Sequence, residues 1–524
     1  MSDQKRTMKS RISSNKVLII LGVVAAALLA MVVAIGVTKL GGDSSGGGSS
    51  DASQADVGKG GQVFGFNDMP TQMPTPMPTV LPGNPTQTPT APQMTTNGVF
   101  PAPAPPRPTT SGSVALTYKP GDLSEKENGI SLSTGLLITL MAQSDRRVDY
   151  ADGERSDLDF EQDPAGGTTF PDGEGWIYVM DFDRGNDRGG VGALTFNAEG
   201  AVTNYQMLLE DTNENRNGDS TPWGTYLSCE NVDGDGSIFE VDPKGEVRAS
   251  RTLLGSAAGR ASWSGVAYDD RRSNSPVFYA SADGREGASF AIRYKPSQNA
   301  INTHLFSNPA FTLLQEDASP TVEFLVLVPT PEEPRKGVFT WINDEDLGRD
   351  SSQTYFDNIS NIEVYDGILY MLSEDRKELF TLDLDSEEYT SESTEMDNFE
   401  GDPFSVKHVL QHNGRRRQRR SLMQRLLHAG HPHGSIRDIP SDLPLLYFAE
   451  GNDDKAGIYA RNEDGQYVTI LEDQRERGDI AALAFSPNLK NMYFALKGSG
   501  EVFMVEREDG HGFDSAALEM SFIS

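Results

Sequence analysis

The sequence predicts an all-β domain, a six-bladed β-propeller, carried behind an N-terminal transmembrane helix and a disordered stalk. Three observations predict it. A short aromatic strand, an Asp/Gly-rich turn and a second alternating strand recur six times after about residue 115. Where no insertion intervenes the recurrence is about 50 residues, the length of one blade. Near the N-terminus, residues 17–38 form a single uncharged apolar run.

The six instances are GWIYVMDFD with VGALTFNAEG, GTYLSCENVDGDG with SIFEVDPKG, VFYASADGREG with ASFAIRYKP, GILYMLSED with KELFTLDLD, LLYFAEGNDD with AGIYARNEDG, and NMYFALKGSG with EVFMVERED. Alternation of apolar and polar residues within each strand fits a pleat with one buried face. The DG, NEDG and SG turns suit hairpins, because Gly reaches positive φ at little cost. Two intervals are wider, one containing 300–345 and one containing 400–442. The first leaves room for extra strands, so seven blades remain open, and a β-sandwich of the same strands is the competing fold. LSTGLLITLMAQ (132–143) fits either an early strand or a short helix.

The run 17–38 is long enough to span roughly 30 Å of bilayer hydrocarbon as a helix. Lys5, Arg6, Lys9, Arg11 and Lys16 precede it. Basic flanks stay in the cytosol, so the expectation is a single-pass type II protein whose large domain faces the cell surface or secretory lumen. A cleaved signal peptide has a shorter apolar core. The organisation read from this is a basic tail 1–16, a signal-anchor 17–38, a Gly/Ser then Pro/Thr-rich stalk 39–113, the propeller 114–515 and a tail 516–524. The stalk is either an O-glycosylated spacer or an undecorated one.

Asp and Glu number 77 against 45 Lys and Arg in 524 residues, a formal charge of −32. Such a surface repels phosphate backbones and excludes nucleic acid as a partner, while it tolerates or gathers divalent cations. The single cysteine, Cys229, excludes an intrachain disulfide framework, so a large core must stabilise the domain. Cys229 itself reads as a small buried strand residue. No GxSxG appears, and His304 and His511 lack a recognisable partner.

A basic, His-rich insertion occupies 411–437 and includes HNGRRRQRRSLMQRLLHAGHPHG. It reads as a solvated loop between blades, or as a convertase site cut after Arg420, with His431 and His433 as a weaker metal-capture motif. Two stretches have calcium-loop spacing. One is Asn231-Val-Asp233-Gly-Asp235-Gly236-Ser237 ending at Asp242; the other is Asp211, Asn213, Asn215 and Asn217 before Gly218. Both are weighed against ordinary Asp/Asn turns. Asn358-Ile359-Ser360 is the chain's one acceptor sequon for N-glycosylation.

TPWGTYLSCEN (221–231) followed by SIFEVDPKG resembles the PhoX-type alkaline phosphatases, which are calcium- and iron-dependent propeller enzymes. GWIYVMD, GVGALTFNAEG, VAYDD, RYKP, FTLDLD, YFAEGN, YVTILE and LAFSPNLKNMYFAL keep the same order, so the resemblance spans roughly 115–515. It implies a phosphomonoesterase with a metal cluster in the propeller channel, where carboxylates and a thiolate converge from several blades.

Several positions depart from that pattern. The family's Asn-Cys followed by glycines reads Asn215-Arg216, and the resemblance implies that the missing cysteine is iron-linked. Of two Glu after Cys229, Glu230 remains and Asn231 replaces the other. Phe-Glu reads Trp263-Ser264, Thr-Glu-Asp reads Ser281-Ala282-Asp283, and Glu-Gly-Ile reads Ser360-Asn361-Ile362. Asp181, Asp183, Glu230, Asp283, Glu450 and Asp479 stand at or near family acidic positions. They are the candidate ligands for one Ca²⁺, with iron binding expected to be lost. The expectation is a weak or inactive phosphatase-like propeller. The alternatives are an active calcium-based phosphomonoesterase and a calcium-dependent adhesion, matrix or receptor module.

Overall fold

A computed structural model describes residues 115–523, except 126–128, 186, 233, 260, 270, 273, 285–288, 395–401, 410–444, 452–455, 463 and 475–477; of 402–409 only the strand itself is described. The expected anchor, stalk and basic insertion, with Arg420, His431 and His433, lie outside the described residues. Among the described residues no helix is long and apolar enough to cross a membrane.

The domain is mostly β. In chain order come β1 (Lys119–Glu125), β2 (Ile130–Thr134), β3 (Leu136–Gln143) and a short hairpin of β4 (Arg147–Asp149) and β5 (Arg155–Asp159). The segment 132–143, open between helix and strand in the sequence, is strand on both sides of a turn at Gly135. A four-stranded antiparallel sheet follows, β6 (Pro164–Asp172), β7 (Gly175–Phe182), β8 (Gly189–Phe196) and β9 (Val202–Thr212). The next holds β10 (Asn215–Ser220), β11 (Tyr226–Glu230), β12 (Ile238–Val241) and β13 (Ser250–Arg251).

The following stretch contains β14 (Trp263–Asp269), β15 (Val277–Ala282), β16 (Phe290–Lys295), β17 (Thr321–Thr330), β18 (Glu333–Ile342), helix α1 (Glu345–Tyr355), β19 (Ile359–Tyr365), β20 (Ile368–Ser373), β21 (Glu378–Asp383) and β22 (Glu388–Ser393). Its strands form one nine-stranded sheet because β18 pairs with β17 on one side and β22 on the other. The two ends of that sheet, β14 and β19, lie against each other, so it nearly closes. Last come β23 (Asp402–Val409), β24 (Leu445–Gly451), β25 (Ala456–Arg461) and β26 (Tyr467–Asp473), extended by β2 and β1. The chain returns in β27 (Ile480–Phe485), β28 (Asn491–Leu496) and β29 (Glu501–Arg507), to which β3 adds from the N-terminal side.

All six hairpins read from the sequence form antiparallel pairs: β7/β8, β11/β12, β15/β16, β20/β21, β24/β25 and β28/β29. Several of these strands are buried along nearly their whole length, β24 and β28 at every residue, because each sheet is covered on both faces. The cores lie between sheets. Tyr178 of β7 stacks on Tyr493 of β28 at 4.9 Å, and Trp176 donates to the Tyr493 hydroxyl at 2.9 Å. Phe278 and Tyr294 pack with Leu227 and Ile238 between β11/β12 and β15/β16. The first strands of the successive sheets also touch in a cycle: β6 meets β10, β10 meets β14, then β19, β23 and β27 follow, and β27 meets β6. This is a propeller-type arrangement, and it brings hairpin ends from distant parts of the chain to one enclosed space.

Candidate functional site

Asp181 and Asp183 stand on and just past the end of β7, two residues apart and so on the same side of the strand. Asp181 is fully buried. Its carboxylate accepts from the Tyr226 hydroxyl at 2.5 Å, the Ser228 hydroxyl at 2.6 Å and the Gly218 N–H at 3.1 Å. Burial pushes its pKa up to about 6 in spite of these three donors. A side chain at residue 166 would not fit here. A Cβ on Gly166 would lie 2.3 Å from Asp181 Oδ2 and 2.2 Å from the Asn217 nitrogen.

Asp183 is held differently. Arg216 Nη2 of β10 sits 2.8 Å from its Oδ2, and the Lys497 ammonium, just after β28, contacts the same oxygen. Burial raises the Asp183 pKa, but Arg216 and Lys497 outweigh it and hold the carboxyl below its ordinary range. Three sheets therefore meet at one carboxylate. Neighbouring Asp163 has its carboxyl raised, chiefly by burial.

The remaining acidic candidates lie at hairpin ends of neighbouring sheets and are engaged locally. Glu230 accepts the Asn213 N–H at 3.1 Å and the Ser237 N–H at 3.2 Å, and burial raises its pKa. Asp283 accepts from Asn231 Nδ2 at 2.8 Å. Glu450 is buried at the end of β24, beside Gly451; a Cβ there would lie 2.2 Å from Asp479 Oδ1. The Asp479 carbonyl in turn accepts the Lys497 N–H at 2.9 Å. The structure thus gathers Asp181 with Asp183, and sets Asp479 against Gly451, the residue after Glu450. Among the described residues it brings no three His, Cys, Asp or Glu side chains onto one point.

The calcium-spaced loops are dispersed in the same way. Asp233 lies outside the described residues and Asp235 is exposed, while Asp242 accepts the amides of Lys244, Glu246 and Val247 in an Asp turn. Asp211 is exposed. Asn213 and Asp187 bond each other through side chain and backbone. Asn215 accepts from Thr212 and donates to Ser228. Asn217 donates to the Ser360 carbonyl. Asn358 precedes β19, and its amide donates to Asp375 at 3.0 Å.

TPWGT proves to be a corner bonded to itself. The Thr221 and Thr225 hydroxyls meet at 2.8 Å, and Trp223 Nε1 and Thr225 Oγ1 both donate to the buried Glu240 at 2.8 Å. Cys229 is buried opposite Arg216 in the β10/β11 ladder, and burial pushes its thiol well up, so it stays protonated. Lys497 was not singled out from the sequence. Its only signal was a basic residue at the turn after NMYFAL in an acidic chain. Tyr226 and Ser228 were legible only as alternate residues of one strand.

No family model matches the sequence, and no curated protein matches it. Solved structures do match. The Pseudomonas fluorescens PhoX in complex with vanadate, a transition state analogue, aligns with a TM-score of 0.53 at 12% identity, over 76% of this chain and 99% of that one. A Xanthomonas campestris gluconolactonase aligns with a TM-score of 0.37 at 12% identity, over 70% and 97%. At this identity the PhoX likeness establishes the fold: the domain is built on the propeller-type architecture of PhoX.

Proposed function

We propose that this chain is a divergent PhoX-like propeller of six blades, held outside the cytosol by its N-terminal apolar segment, whose phosphatase centre is weak or inactive. The blades would be β6–β9, β10–β13, β14–β17, β19–β22, β23–β26 with β2 and β1, and β27–β29 with β3. The cycle of first strands supports this count, with β18 as a bridge between two blades.

The observation that carries the reading is the Arg216 guanidinium on Asp183. The resemblance implies calcium and iron at such a centre, and the residues present do not fit that cluster. Arg216 cannot ligate a metal, and with Lys497 it places two fixed cations where a polycationic cluster needs negative charge. Cys229 is held as a neutral thiol. Asn231 and Ser264, in place of two carboxylates, are bonded to Asp283 and Ser281. The site keeps the scaffold of phosphate chemistry and has exchanged metal ligation for side-chain ion pairing.

Metal analysis of the purified chain, with turnover of a chromogenic phosphate ester in excess Ca²⁺, tests this. The expected result is no bound iron and background turnover. Robust turnover with bound iron would overturn it, and turnover with calcium alone would replace it by an atypical calcium-based phosphomonoesterase. Restoring Arg216→Cys, Asn231→Glu, Ser264→Glu, Ala282→Glu and Ser360→Glu together should return metal binding before activity, because ligands must assemble before chemistry can.

A further inference from the structure

The sheets of the ring end on very different outer strands. β9 carries Glu210 and Asp211 near its end, β13 is only Ser250–Arg251, and β1 contains Lys119, Pro120 and Asp122. β17 and β22 cover each other's outer sides, because β18 pairs with both. Charge, proline, shortness and mutual cover all keep a sheet edge from pairing with another chain. β3 has none of them. Its sequence, LLITLMAQ, holds no charged residue and no proline. β29 pairs one side of it, in a ladder that is regular from Leu136 to Leu140, and among the described residues no strand pairs the other side. Leu137 is 43% exposed and Leu140 45%. Backbone groups along such an edge template a further strand, and the two leucines add apolar area to be covered.

The ends of β3 indicate which strand that is. Arg146 and Arg147, both exposed, follow its C-terminal end. Two exposed acids stand at its N-terminal end: Glu508, whose N–H donates to the Gly135 carbonyl at 2.9 Å, and Asp122, whose Oδ2 accepts from Thr134 Oγ1 at 3.2 Å. An antiparallel copy of the same strand lays each end against the opposite end of its partner. Arginines then face carboxylates twice across a two-fold axis, whereas a parallel copy would set like charge on like. The formal charge of −32 opposes the approach of two copies. Salt screens exposed charges beyond about 8 Å, however, and the edge itself is neutral.

We infer that β3 is a self-association edge: two copies of this chain pair β3 with β3, antiparallel, and join their four-stranded sheets into one continuous sheet. This contact lies on an outer strand, needs no metal, and is independent of whether phosphatase chemistry survives in the ring.

Sedimentation velocity of the full chain in mild detergent, over a dilution series, tests it. Wild type should pass from monomer to dimer with a single dissociation constant. Leu137→Lys or Leu140→Lys places a charge on the edge and should weaken the dimer by roughly tenfold or more. Arg146→Glu with Arg147→Glu should also weaken it, and adding Asp122→Lys with Glu508→Lys should restore it to near the wild-type value. Melting temperatures at high dilution, where copies are apart, should match wild type; if a lysine unsettles the fold, the charge exchange decides alone. A wild type that stays monomeric up to about 100 µM overturns the inference. A dimer that both lysine variants leave intact overturns it by placing the contact on another face. A four-site exchange that stays as weak as the arginine pair alone overturns it as well.

Discussion

Two of the buried arginine–aspartate contacts among the described residues are built on opposite plans. Arg507 and Asp509 are two residues apart, and both side chains are fully buried. The guanidinium makes a two-pronged bond to Asp509 at 2.9 and 2.8 Å and donates to the carbonyls of Gly512, Ser515 and Ala516. It lies 4.8 Å from the centre of the Tyr118 ring, and Asp509 also accepts the Thr117 N–H. The pair clasps the start of the domain to its C-terminal tail, where Leu518 donates to the Tyr118 carbonyl and Ser521 to that of Pro120. Asp183, by contrast, takes Arg216 and Lys497 from two other sheets, and Lys497 is 314 residues away. One contact is a local knot tied with backbone; the other exists only once the ring is assembled. The difference separates a joint that makes the fold from a cluster that the fold makes.

The largest effect should come from Arg507→Ala. It leaves the Asp509 carboxylate buried without its cation and frees three carbonyls, for about 3–5 kcal/mol of lost stability in urea unfolding. Asp183→Asn leaves Arg216 and Lys497 facing a neutral amide with more access to water, and should cost about 1–3 kcal/mol. A larger loss at Asp183 than at Arg507 would reverse the comparison and make the inter-sheet cluster the main joint.

Acid distinguishes the knot directly. Burial raises the Asp509 pKa, but the Arg507 guanidinium and the amides of Thr117 and His511 outweigh it and bring it to about 2, from an ordinary 3.8. A depressed carboxyl stabilises the fold above its unfolded value and loses that contribution as pH falls through its folded value. The stability gap between wild type and Asp509→Asn should therefore stay constant above about pH 4 and shrink toward pH 2. A gap that is flat over that range would show that Asp509 acts through shape rather than charge.

The last two effects are smaller. Trp223→Phe removes one donor to buried Glu240 while Thr225 Oγ1 still donates to it, a loss of about 1 kcal/mol by the same unfolding measurement. Arg155→Ala breaks an ion pair whose side chains are 66% and 75% exposed, and should change stability by less than about 0.5 kcal/mol.

The strands were readable because their cause is local. GWIYVMDFD carries β-branched and aromatic residues and NMYFAL two aromatic ones, each ahead of a turn rich in Gly or Asp, and each hairpin needs only neighbours in sequence. The nine-stranded sheet was not readable. β18 chooses β22 through pairs such as Gly337 with Tyr389, and nothing in either segment names the other. Segment 132–143 stayed ambiguous because a strand that pairs with β29, 358 residues on from Gln143 at Glu501, has no local partner to reveal it. The acidic candidates were partly legible. Aspartates at hairpin ends mark the end of the ring where Asp181 and Asp183 meet, yet their bonding partners come from other sheets.

By itself the sequence determined the hairpins, the lack of an intrachain disulfide and the acidic character of the chain. Each follows from residue identity and spacing over a few residues. Tertiary structure decided that Arg216 and Lys497 converge on Asp183, that Thr221–Thr225 forms a corner, and that Asn217 of β10 donates to the Ser360 carbonyl of β19. Those outcomes depend on which sheets become neighbours. That choice is made by cores packed between whole sheets, and a short stretch of sequence specifies its own strand but not the strand across the ring.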